Sequence, residues 1–332
     1  MITSITRKAR PQVITLGTCL LVLLAACGRA EPAAGPPPLG PLPTVRTDAD
    51  IVLPLDRYTL DWHDRIVLET AREQLGARCQ AALGLPGYPV SDLRPYALQP
   101  RHGNVFGLYS EQVARQDGLR PAWVSALDRQ GRDTIRRFAP WSGPRVQFAL
   151  HGSDASPSRA SPSARATAPS RAPRFNRTVP RGGCAAQSFR ALYGLSAAKP
   201  IDSYWLGNLQ GQAVRDSSRD ARLVPAAAAW TKCMTAAGYP GSSPGGFSDD
   251  PGLVRASGTA QRKAALADVR CTWSSRFVDT WVALTAAYEQ RQVATNRARL
   301  LRDYTLRITV LRAVHEHGLG RLGGTYGSPP PS

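Results

Sequence analysis

Apolar positions along the chain follow a helical period in several long stretches. From Thr59 to Leu83, the residues Val67, Ala71, Leu75, Cys79 and Ala82 recur at spacings of four and three, which places them on one face of a helix. Gly84 supplies a stop and Pro86 blocks continuation, so one long amphipathic helix is expected, ending just past a cysteine. Tyr109 to Gln116 predicts a short helix before Asp117-Gly118, while Arg145 to Leu150 reads as an edge strand or extended segment. A further helix is expected from near Gly183, carrying Cys184, Phe189 and Leu192. Ser203 to Val214 and Pro225 to Ala237 predict two more. The second is opened by its Pro and closed by Gly238-Tyr239-Pro240, where Gly accepts the left-handed cap. Gly241 to Gly252 reads as a loop.

The C-terminal region is the most regular. Apolar residues recur mostly at threes and fours through Cys271, Trp273, Phe277, Trp281, Leu284, Tyr288, Leu300, Tyr304, Ile308 and Leu311. No Gly or Pro interrupts 259–317, so the pattern predicts either one very long helix or two helices with a bend, closed by Gly318. The aromatic stripe is expected to be core packing rather than a ligand box. The expected fold class is therefore mainly α.

Two stretches break the pattern. Residues 27–48 contain Pro32, Pro36, Pro37, Pro38, Pro41 and Pro43 with little apolar bulk, and read as a semi-rigid tether. Residues 152–182 are rich in Ser, Ala and Pro and carry Arg159, Arg165, Arg171, Arg174, Arg177 and Arg181 against the single Asp154. That segment is expected to be a disordered insertion, with contact to anionic wall polymers or lipid headgroups as the sharper alternative. The expected organisation is one helical domain in two parts, 49–151 and 183–318, followed by a disordered tail over 319–332.

The N-terminus changes the picture from fold to location. Arg7, Lys8 and Arg10 precede an uncharged run from Val13 to Leu24 that is short for a spanning helix. The run ends in Leu24-Ala25-Ala26-Cys27, which resembles the lipobox of bacterial lipoproteins. The resemblance implies cleavage after residue 26 and a diacylglycerol thioether on Cys27, leaving the protein anchored on the outer face of the cell membrane. Arg7-Lys8 is not a twin-arginine motif, so the general secretory route is expected.

The 332-residue chain has 42 Lys and Arg against 24 Asp and Glu, a net charge of +18. Only Lys8, Lys199, Lys232 and Lys263 are lysines, an arginine bias with the look of a GC-rich genome rather than of 38 separately chosen guanidinium groups. No recognition helix, zinc spacing or RNA-binding signature accompanies the charge, so nucleic acid is not the expected partner.

Beyond Cys19 in the leader and Cys27, four cysteines remain: Cys79, Cys184, Cys233 and Cys271. In an exported chain they argue for two disulfides, for which three connectivities exist. Cys233 and Cys271 lie on neighbouring expected helices across one loop and form the natural pair, leaving Cys79 for Cys184. Their spacing suits no metal, and no His lies close to any of them. Trp230-Thr231-Lys232-Cys233-Met234 with Gly238-Tyr239, then Ala267-Asp268-Val269-Arg270-Cys271, is similar to a pattern found in lipoproteins of actinobacteria. Gly183-Cys184-Ala185-Ala186 and the segment around Cys79 fit it too. The resemblance implies an exported, helical, disulfide-bearing domain and nothing about activity.

Candidate chemistry is sparse. Asp61-Trp62-His63-Asp64 sets carboxylates beside an imidazole, but adjacent helical residues point apart, and an exposed helix start is expected. His315 and His317 cannot share a helical face, and His102 and His151 stand in no motif. There is no nucleophile elbow, phosphate loop or dinucleotide fingerprint, and Asp249-Asp250 lies in loop sequence. No cofactor or metal is expected. The expected function is an envelope-tethered binding or structural module; the alternative is a hydrolase of wall material, which would require a cleft with convergent His and carboxylates.

Overall fold

A computed structural model describes residues 35–85, 87–103, 105–152, 174–202, 204–244 and 246–321. The leader, Cys27, Arg159, Arg165 and Arg171 lie outside them. Among the described residues the chain is helical and forms no strand. Its helices are α1 (Trp62–Ala82), α2 (Glu111–Asp117), α3 (Ala122–Phe138), α4 (Pro144–His151), α5 (Gly183–Gly194), α6 (Trp205–Ser218), α7 (Val224–Ala236), α8 (Pro251–Arg255), α9 (Gly258–Ser275) and α10 (Phe277–Glu316).

Helix α10 is the spine. Its 40 residues span about 60 Å at 1.5 Å per residue, and three apolar clusters form along it. At its start Phe277, Val278, Val282 and Leu284 join Trp230, Met234 and Phe106. Midway, Val293 and Leu300 meet Leu55, Tyr58, Leu206 and Leu209. Near its end Val310, Leu311 and Val314 pack on Val67 and Ala71 of α1 and on Leu192 and Tyr193 of α5. Helix α6 lies along α10, α7 and α2 pack on α9, and α5 bridges α1 and α4.

Local chemistry explains most of the boundaries. Asp61 caps α1 by accepting the Asp64 amide at 2.8 Å, and Ser257 caps α9 by accepting the Ala260 amide at 3.3 Å. Pro225 sits in the first turn of α7, where its missing N–H costs nothing. The long C-terminal pattern resolves as two helices. Arg276, at φ +56°, adopts the left-handed conformation that ends α9, and Ser275 Oγ takes the Phe277 amide at 3.3 Å to start α10.

Two disulfides staple the bundle. Cys79 of α1 is bonded to Cys184 of α5, and Cys233 of α7 to Cys271 of α9, with Cα atoms 5.6 and 5.5 Å apart. Beside the first bridge, Gly183 (φ +66°) is so close to α4 that a Cβ would collide with the Leu150 carbonyl.

Three expectations are corrected, and one helix was not foreseen. Residues 145–150 are helical, within α4, because Pro144 opens the helix and Val146 and Ala149, one turn apart, bury together against the Cys79–Cys184 bridge. Helix α3, for which no element was expected, has an apolar face of Trp123, Val124, Leu127 and Phe138 that is half-buried. The tether reading fails from Pro37 onward. This stretch is an extended strap on the domain: Pro37 O accepts Arg222 Nη1 at 2.9 Å, Pro43 O accepts Arg276 Nη2 at 3.3 Å, and Val45 is fully buried. The tail reading fails for its first residues. Leu319 is buried beside Val67, and Gln74 holds the Gly320 amide at 3.0 Å and the Arg321 carbonyl at 2.9 Å.

Candidate functional site

The strap crosses α10 and is fastened to it by buried carboxylates. Asp279 Oδ1 accepts the Val45 amide at 2.9 Å, and Glu289 Oε2 accepts the Leu55 amide at 2.8 Å. In both cases the partners are 234 residues apart in sequence. Past Leu55 the chain makes a 3-10 turn, Asp56–Tyr58, whose first carboxylate turns back: Asp56 Oδ2 accepts the Leu53 amide at 2.9 Å.

A second loop is brought to the same place by Asp48. Its two carboxylate oxygens accept the backbone amides of Arg101 and His102, both at 3.0 Å, and Tyr109 donates its hydroxyl to Asp48 at 3.1 Å. Burial and the Asp48 charge push the Tyr109 phenol well above its ordinary range. Held in this way, the buried His102 imidazole places Nε2 at 3.2 Å from Asp56 Oδ2.

Between the strap, this loop, α1 and α6 lies a cavity of about 420 Å³. Its polar lining is Asp56, Thr59, Arg65, Arg101, His102, Gln210, Arg215 and Glu289; Leu53, Leu60, Trp62, Val105 and Val214 supply apolar walls. Glu289 is 1% exposed, and its one hydrogen bond among the described residues is the one to Leu55. Burial pushes its carboxyl up to about 8, the Leu55 amide opposing and the Asp56 charge adding to the rise. Arg65 stacks over the Trp62 ring at 4.3 Å, and Arg101 Nη1 lies 4.0 Å from Asp56 Oδ1. Among the described residues neither Arg65 nor Arg215 forms an ion pair. Arg65 is exposed as a residue, but partial desolvation of its guanidinium holds it below its ordinary value; the nearby positive charges of Arg307 and Arg101 act the same way, against Glu69. The cavity lining thus brings three guanidinium groups together with the carboxyl groups of Asp56 and Glu289.

A second cavity, of about 240 Å³ beside the Cys79–Cys184 bridge, has its charges already engaged. Arg72 pairs with Glu69 at 2.7 Å and Glu73 accepts the Ser91 amide at 2.5 Å.

The residues singled out in the sequence fall elsewhere. Asp61, His63 and Asp64 come closer than their adjacency suggested, with ligand atoms within 4.8 Å of one another, yet His63 is exposed and Asp61 is engaged as the α1 cap. His151 and His315 are exposed at separate helix ends, and His317 lies 2.9 Å from its own helix carbonyl at Ala313. Asp250 caps α8. Of the arginine-rich segment, Arg174, Arg177 and Arg181 are described and exposed.

Sequence reasoning missed Asp56, Arg65, Arg101, Arg215 and Glu289 and gave His102 no role. One signal was present: Glu289 falls among Val282, Leu284 and Val293 on the apolar stripe of α10, where an ionisable residue is out of place.

Among the described residues no helix is long and apolar enough to cross a membrane. Comparison with known protein families, with characterised proteins and with solved structures finds no match.

Proposed function

We propose that the protein is an exported lipoprotein of the actinobacterial kind. It is anchored through Cys27 to the outer face of the cell membrane and presents a helical domain that binds a small molecule in the cavity over Glu289. The leader pattern and lipobox support the anchor. The two disulfides support an oxidising, extracytoplasmic compartment, since such bridges persist where thiols are not kept reduced. The binding role is carried by one observation: a buried carboxyl, a buried imidazole and unpaired guanidinium groups converge on a single chamber. Arg174, Arg177 and Arg181, with the three arginines before them in sequence, add attraction to anionic wall polymer or headgroups. The test is to purify the protein from its native envelope in detergent, denature it, and identify released small molecules by mass spectrometry. A stoichiometric compound absent from a Val214→Trp variant supports the role, and an empty wild-type chamber opposes it.

A second reading is a hydrolase acting on wall material, favoured by the contact between Asp56 and His102. A carboxylate at Nε2 orients the ring and leaves the other nitrogen to act as general base, with a protonated Glu289 in the same cavity as the acid.

A further inference from the structure

We infer that the cavity over Glu289 is a site for a small organic anion, a carboxylate or phosphate monoester carrying an apolar body, held by Arg65, Arg101 and Arg215. The inference rests on the binding-module reading and specifies its ligand.

Guanidinium groups recognise carboxylate and phosphate because their planar donor fork matches two oxygens at once. Some guanidinium groups elsewhere on this protein are engaged by carboxylates, and others, such as Arg129 and Arg132, stand on the surface without an ion pair among the described residues; what sets this site apart is that three converge on one cavity. Arg222 is paired with Asp220 at 2.7 Å, Arg276 with Asp279 at 3.1 Å and Arg299 with Asp303 at 3.4 Å. At this cavity Arg65 and Arg215 form no ion pair among the described residues, and Arg101 reaches Asp56 Oδ1 at 4.0 Å and the Asp56 carbonyl at 3.5 Å. Asp56 gives Oδ2 to the Leu53 amide and His102 and turns Oδ1 to Arg101, so one carboxylate faces three guanidinium groups and leaves the cluster with excess positive charge.

The depth of the site gives the second half of the ligand. Glu289 closes the chamber with a carboxyl that is 1% exposed and has one oxygen without a hydrogen-bond partner among the described residues. In its neutral form that group donates one hydrogen bond, which calls for an acceptor oxygen on the ligand. Leu53, Leu60, Trp62, Val105 and Val214 share the lining with Thr59 and Gln210, so the chamber suits a ligand body that is mainly apolar. The volume of about 420 Å³ is in the range of small-molecule pockets and too small for a polymer segment to be enclosed.

The test is calorimetric titration of the full mature protein in detergent at fixed ionic strength with phenyl phosphate, benzoate, inorganic phosphate and benzyl alcohol, the last matching benzoate without its charge. The two organic anions are expected to bind one per chain. Benzyl alcohol and inorganic phosphate should each bind about tenfold more weakly or worse, because the charged contacts are absent from one and the apolar body from the other. Arg65→Gln with Arg101→Gln is expected to weaken the organic anions by about tenfold or more, whereas Arg129→Gln with Arg132→Gln on the exposed α3 leaves them unchanged. Two results overturn the anion assignment while leaving a binding chamber in place: benzyl alcohol binding as tightly as benzoate, or equal losses in both double variants. If no probe binds to millimolar concentration and the native protein releases no compound on denaturation, the anion site and the binding module fall together. If no probe binds but the native protein releases an uncharged compound, only the anion assignment falls.

Discussion

Asp268 offers the sharpest measurement of how burial governs this domain. It lies in α9 at 7% exposure, its Oδ1 accepting Trp230 Nε1 at 3.0 Å and Thr272 Oγ1 at 3.4 Å. Burial pushes its carboxyl up to about 7 from 3.8, with the Trp230 and Thr272 hydrogen bonds opposing. A raised folded-state pKa means that the folded protein holds the proton more tightly than the unfolded chain. The stability this contributes is present below pH 3.8 and is lost as pH rises toward 7. At about 1.36 kcal/mol for each pH unit between those two values, the loss across the window is about 4 kcal/mol, which is large against the roughly 5–15 kcal/mol typical of a domain. The Asp268→Asn variant keeps an acceptor for Trp230 and has no carboxyl to titrate. Its added N–H lacks an acceptor and costs about 1–3 kcal/mol at every pH. The decisive quantity is therefore the change in the difference between Asp268→Asn and wild type from pH 4 to pH 7. It is expected to favour the variant by about 3 kcal/mol, since the ends of that range lie at the two pKa values, where the carboxyl is only part-titrated. Glu289, raised from 4.5 to about 8, gives both proteins the same slope and cancels; Asp220, lowered to about 2, acts only at more acid pH. Urea unfolding followed by tryptophan fluorescence, with disulfides intact, measures it. Parallel declines in the two proteins from pH 4 to 7 would refute the reasoning.

Three further outcomes follow from contacts already described. Gly183→Ala is expected to destabilise the domain by more than about 3 kcal/mol, since its Cβ meets backbone rather than a movable side chain, and thermal unfolding checks it. Removing Cys233–Cys271 by double alanine substitution should cost about 4 kcal/mol in the chain-entropy picture for a separation of 38 residues, and the unreduced wild type should show no alkylatable thiol at the four bridge positions. Cys27→Ser is expected to abolish incorporation of labelled fatty acid, because the thioether needs sulfur; continued labelling would remove the anchor reading.

The sequence by itself determined most of the helices and the stapling. A 3.6-residue apolar period, an N-cap at Asp61 and a first-turn Pro225 are local signals, and the helices they mark need only the stretch that carries them. Signals of short range failed where the environment decided. Val146, Phe148 and Leu150 alternate like a strand, yet Pro144 and the packing surface of α5 make α4 a helix. Helix α3 was legible and passed over: Trp123, Val124, Leu127, Ile135 and Phe138 fall on one face at helical spacing, although none of them is fully buried. The break at Arg276 has no Gly or Pro to announce it; the left-handed turn is held by a local contact to Asp279 and by a tertiary one to the Pro43 carbonyl. The cavity was beyond the sequence for a related reason. Asp56 and His102 are 46 residues apart, Leu55 and Glu289 are 234 apart, and no periodicity links them. Only the crossing of the strap over α10 brings them together, and only the burial that follows raises Glu289 out of the ordinary carboxylate range. A glutamate on an apolar stripe was legible as an anomaly. What it faces was decided by packing, because desolvation and unpaired charge are properties of an enclosed volume and not of a position in the chain.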